Sequence, residues 1–234
     1  MTHALILARL QGRELLRRRL ALALLVGMPV AFYLTSVGAG TADAGADLWA
    51  AVSGAIGMGF AVCGAAFFSM LAGRGVDPRL VLFGWRPAEL IAGRLLLLGA
   101  VAAVIGVGFF ALMELTWWPA YPGALAAAIA TAALVSVSAG LAIAALLPNE
   151  MEGILVVILF VGIQMSVPPS TAAGPFMPYY GAQELLVRAT TGGPLLAPTL
   201  HACGWAAALL VLAVLMWRRR LRLTVTRPAA EVLA

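Results

Sequence analysis

The chain has 234 residues, of which 63% are hydrophobic and 11% charged, and its formal net charge is +5. A soluble domain carries roughly 25% charged residues, so this composition, with a mean hydropathy of +1.00, belongs to an integral membrane protein. All fifteen basic residues are arginine; a P-loop needs a lysine against the β- and γ-phosphates, which excludes an ATP-hydrolysing site of that kind in this chain.

At about 20 residues per crossing, the length holds six helical spans with short loops and no second, soluble domain. The expectation is therefore an all-α integral membrane protein forming a single domain over residues 1–234. Residues 2–19 read as a helix lying at the headgroups, with Arg9, Arg13 and Arg17 on one side and Glu14 placed to pair with Arg17 or Arg18. Span one is expected at 20–37. Leu20–Phe32 with Ala44-Gly45-Ala46 also resembles a secretory signal, but the arginine-rich segment before it favours an uncleaved span. Span two is expected at 48–72, with Ser53, Gly57, Gly59, Gly64 and Ala65 suiting close helix packing.

The segment 73–88 interrupts this apolar run. It holds Arg74, Asp77, Arg79 and Arg86, with Pro78 and Pro87, between two long hydrophobic stretches. Asp77 as N-cap and Pro78 at the first position predict a short helix that Gly84 ends, and Pro87 starts the next helix. Its apolar residues Leu80, Val81, Leu82, Phe83 and Trp85 are too many for a solvated loop and imply a partner surface, lipid or protein; an interfacial elbow that merely turns the chain is the alternative.

Spans three, four, five and six are expected at 89–114, 121–147, 152–168 and 196–217. Span five holds about seventeen residues, which at 1.5 Å each reach only about 25 Å of a roughly 30 Å hydrocarbon core. The following stretch, rich in proline and with an amphipathic run over 178–189, predicts an outer helical element that completes the crossing, with a plain extracellular loop as the alternative. In this six-span arrangement every arginine except Arg188 falls on one side. The positive-inside rule then places both termini in the cytoplasm of a multi-pass protein of the plasma (inner) membrane.

The spans lack Asp, Glu, Lys, Arg and His at mid-depth, which leaves an ion-coupled carrier little to work with. No nucleophile–base pair and no metal-binding set is evident: the histidines are His3 and His201, and the thiols Cys63 and Cys203 lie in apolar runs, as small hydrophobes do. No catalytic residue and no metal ligand is assigned, and no nucleic-acid partner is expected. Transport without an internal coupling ion requires energy from elsewhere.

In its order of elements the chain resembles the permease subunit of the type-two ABC exporters. The resemblance rests on the arginine-rich helix before span one, six spans with both ends on one side, and the segment after span two, which reads Arg74-Gly75, Leu80-Val81-Leu82, Trp85-Arg86-Pro87, Glu89-Leu90 and Gly93-Arg94. It also rests on Pro175-Phe176-Met177-Pro178 and the helical run after them, similar to the family's outer re-entrant element. The chain departs from the family in lacking the glutamate before the glycine and in placing its proline at Pro87.

The resemblance implies a coupling helix seated in a separate ATP-binding-cassette subunit, which would bind ATP and magnesium, this chain having no cofactor of its own. Arg74, Asp77, Arg79, Leu80, Phe83, Trp85 and Arg86 would make that contact, with Arg9, Arg13, Glu14 and Arg17 as a second one. It further implies a second permease copy or a related chain, a path flanked by spans one, two and five with Met58, Gln164 and Met165 as lining residues, and an amphiphilic, drug-like or lipid-like cargo. A haem-exporter-like permease and an ATP-independent channel or carrier stay open as alternatives.

Overall fold

The computed structural model describes residues 2–17, 19–38, 44–117, 119–147 and 149–226, and no strand occurs among them. Nine helices follow one another in these residues: α1 (Thr2–Arg17), α2 (Arg19–Gly38), α3 (Ala44–Gly73), α4 (Asp77–Leu82), α5 (Pro87–Thr116), α6 (Pro122–Leu146), α7 (Glu150–Ser166), α8 (Tyr180–Thr191) and α9 (Leu196–Thr226), with a 3-10 turn at Gly174–Phe176 before α8. Among the described residues four helices are long and apolar enough to cross a membrane: Leu48–Gly73, Pro87–Thr116, Pro122–Leu146 and Leu196–Leu221. The protein is thus all-helical and membrane-embedded. Residues 39–43, within the loop expected between spans one and two, together with Trp118, Pro148 and the tail 227–234, lie outside the described residues.

Helix starts follow the prolines. Pro87 and Pro122 each occupy the first turn of their helix, where the missing N–H costs nothing. Helix α6 is the centre of the molecule, buried over most of its length between Ala124 and Ala145 while its end residues Pro122, Gly123 and Leu146 stay exposed. It packs on α3, α5, α8 and α9. Close approach is possible because small residues face each other: at Gly140 a Cβ would collide with the Cys63 carbonyl of α3.

Helix α7 is 17 residues long. It buries Gly153, Val157, Val161 and Gln164, one stripe at helical spacing, and exposes Leu155, Ile158, Leu159 and Ile163. The chain after it does not trail away as a surface loop. Helix α8 packs on α6 and α9, burying Gly181, Ala182, Gln183, Leu185, Leu186 and Ala189.

One expectation is corrected here. Asp77 is not an N-cap: Val76 holds that position without a side-chain cap, and Asp77 is the first residue of α4. The arginine-rich α1 does not stand alone. It packs along α5 through Ala4 and Leu7, both buried, and at Gly93 of α5 a Cβ would meet the Ala4 carbonyl oxygen at 2.7 Å. Arg9 and Arg13 stay exposed on its other side, whereas the side chains of Glu14 and Arg17, with their expected pairing, lie outside the described residues.

Candidate functional site

The segment between α3 and α5 forms a knob at the end of the bundle where most arginines gather. Turn residues 74–76 leave α3, α4 makes little more than one turn, and Gly84, with φ +90°, reverses the chain. Positive φ costs a residue with a Cβ about 1–2 kcal/mol, which is why glycine stands there. Trp85 N–H donates to the Leu80 carbonyl at 3.0 Å, closing the reversal. Arg86 N–H then donates to Glu89 Oε2 at 3.1 Å, securing the first turn of α5.

The knob's apolar side chains divide into two sets. Leu80, Val81 and Trp85 pack against the core. Leu82 and Phe83 point away from it, 68% and 83% exposed, flanked by exposed Arg79 and Arg86.

Asp77 turns inward. It is 2% exposed and faces Arg94 of α5, which is 1% exposed. Arg94 Nη2 donates to both carboxylate oxygens at 3.2 Å, and Nη1 donates to Met70 Sδ of α3 at 3.0 Å. The Trp217 indole N–H of α9 donates to Asp77 Oδ2 at 3.0 Å. One carboxylate thereby joins α3, α4, α5 and α9. An isolated charge this deep costs several kcal/mol, and the pair neutralises it while the extra donor satisfies the remaining lone pairs. Gly73 is required beside it, because a Cβ there would run into the Arg94 guanidinium.

Next to this node Arg74 Nη2 donates to the carbonyls of Ala144 and Leu147, and Arg220 Nη2 donates to the Leu146 carbonyl at 2.8 Å. The last carbonyls of a helix have no partner within it, so these two guanidiniums cap α6. Burial lowers the Arg74 guanidinium from its ordinary pKa, and the neighbouring Arg220 charge lowers it further.

The expected site residues distribute as follows. Arg79, Phe83 and Arg86 lie on the knob's outer surface; Leu80 and Trp85 are half-buried at its base; Arg74 and Asp77 are turned to the bundle. Met58 is fully buried in the core. Gln164 is buried too: its Oε1 accepts the Tyr179 N–H at 3.2 Å, and its own carbonyl accepts from Gln183 Nε2 at 3.0 Å. Tyr179 Oη lies 2.5 Å from Ser136 Oγ of α6. The side chain of Met165 lies outside the described residues.

Sequence reasoning missed Arg94 and Trp217 as partners of Asp77, and Met70 as a further acceptor of Arg94. The available signal was Arg94 itself, a charge one turn and more inside an apolar helix, which demands a counter-ion.

The chain matches no protein-family model and none of the curated proteins it was compared with.

Proposed function

We propose that this protein is the membrane-spanning permease subunit of an ATP-driven exporter of the type-two ABC class, crossing the membrane six times with both termini in the cytoplasm. In this reading two permease chains enclose the substrate path, an amphiphilic, drug-like or lipid-like cargo is moved, and a separate ATP-binding-cassette subunit binds ATP and magnesium and docks on the knob. The observation that supports it most is the division of labour in the knob. Leu82 and Phe83 stand out between Arg79 and Arg86, an apolar tip with a cationic rim suited to an acidic-edged cleft. The base of the same short helix is fixed to α5 and α9 through Asp77, Arg94 and Trp217. Force applied to the tip therefore reaches two long helices without first bending a loose loop.

The test is co-purification of the full chain with an ATP-binding-cassette subunit encoded beside it, followed by ATP hydrolysis in nanodiscs. Phe83→Asp should keep the fold, since Phe83 makes little contact with the core, and should reduce permease-dependent hydrolysis at least ten-fold. Trp85→Asp is the poorer probe because Trp85 packs inward. Assembly and hydrolysis unchanged by Phe83→Asp would remove the coupling role.

A further inference from the structure

Between the α3–α4 turn, the C-terminal end of α6 and α9 lies a cavity of about 220 Å³, lined among others by Met70, Arg74, Asp77, Trp217, Arg220 and Leu221. At about 30 Å³ per water it has room for roughly seven waters, or for one phosphate-bearing group with part of its attachment. We propose that this cavity seats the phosphodiester headgroup of one anionic glycerophospholipid, held between the guanidiniums of Arg74 and Arg220.

Four observations carry this, and none depends on the exporter reading. The first is charge. Two arginines line one small cavity, while the carboxylate in its wall, Asp77, faces Arg94 and Trp217. An anion seated between the arginines is attracted by both charges.

The second is preorganisation. Both guanidiniums are anchored through Nη2 on carbonyls of α6, and a guanidinium offers five donors in a fixed fork that matches phosphate oxygens. The third is depth. Arg220 stands 24 residues after Leu196, the start of the α9 span, about 36 Å along the helix. That exceeds the roughly 30 Å hydrocarbon core and brings the cavity to headgroup level, where basic pockets between membrane helices take anionic headgroups. The fourth is the lining: Met70 and Leu221 offer an apolar wall beside the arginines, which suits the first acyl methylenes of a lipid and does nothing for a free anion.

The experiment uses the full chain in nanodiscs of phosphatidylcholine doped with phosphatidylglycerol, released into native mass spectrometry after graded delipidation. Wild type should retain one phosphatidylglycerol per chain. R74Q/R220Q should retain at least ten-fold less, and R218Q/R219Q, whose parent side chains are exposed and do not line the cavity, should match wild type. R74Q/R220Q also uncaps α6, so P78E is the second probe. It leaves both arginines in place and puts a carboxylate on the cavity wall, and it should lose the lipid equally. Retention of phosphatidylglycerol by P78E, equal loss in R218Q/R219Q, or equal retention of phosphatidylcholine would each overturn the proposal. So would displacement of the lipid by millimolar inorganic phosphate, which would assign the cavity to a free anion.

Discussion

The two ends of this bundle are closed by different chemistry. At the arginine-rich end an ion pair, Asp77 with Arg94, is completed by the Trp217 indole and the Met70 sulfur. At the other end Gln164, Tyr179, Ser136 and Gln183 form a network of neutral groups. The first draws on four helices and lies near the ends of α5 and α9; the second ties α6, α7 and α8 together. A charge network fixes geometry strongly but fails badly when one member goes. A neutral network loses one hydrogen bond at a time. The molecule puts the stiff kind where the knob is attached and the forgiving kind beneath the proline-rich turn.

The sharpest way to break that contrast is Arg94→Met. It leaves the Asp77 carboxylate buried without its counter-ion and should lower stability by about 3–5 kcal/mol, read from unfolding in detergent. The triple variant D77L/R94M/W217F removes every partner at once and should recover most of that loss, since a well-packed apolar replacement of a buried ion pair is often neutral. Failure to recover would mean that shape, rather than charge balance, holds the node.

Trp217→Phe comes next. It deletes one donor to an ionised carboxylate, with an expected loss of about 1.5–3 kcal/mol. Gln164→Leu should cost about 1–2 kcal/mol, because the Tyr179 N–H loses its acceptor while the backbone carbonyl bond to Gln183 survives. Tyr179→Phe should cost least, about 0.6 kcal/mol, the mean for a side-chain hydrogen bond between membrane helices. If Gln164→Leu proved as damaging as Arg94→Met, the distinction between the two ends would disappear.

Much of the fold was legible in the sequence because its signals are local. Prolines at 87 and 122 and the polar run at 73–88 mark helix boundaries that α5, α6 and α4 respect within a few residues. A helix over the 178–189 run was anticipated from its amphipathic pattern, and α8 (Tyr180–Thr191) occupies it; its burial against α6 and α9 was not. The direction of the Asp77 side chain was not legible. N-cap chemistry is read from the next three residues, whereas the partners that win Asp77 stand 17 and 140 positions away. The partners of Gln164, which the resemblance made a path-lining residue, were not legible either, because they arrive from a turn whose course local pattern does not fix. The division of the knob into Leu80 and Trp85 inside and Phe83 outside was likewise hidden, since it depends on the reversal at Gly84.

Helix α9 has a further consequence. It runs unbroken from Leu196 to Thr226. Near its start His201 Nε2 donates to the Pro175 carbonyl at 2.8 Å, and sixteen residues on Trp217 holds Asp77. Between His201 and Trp217 the helix is thus a lever arm about 24 Å long, on which a tilt of about 5° pivoting at His201 carries the indole through about 2 Å, farther than its hydrogen bond can stretch. A tilt of that size at the His201 end would thereby break a hydrogen bond at the arginine-rich end.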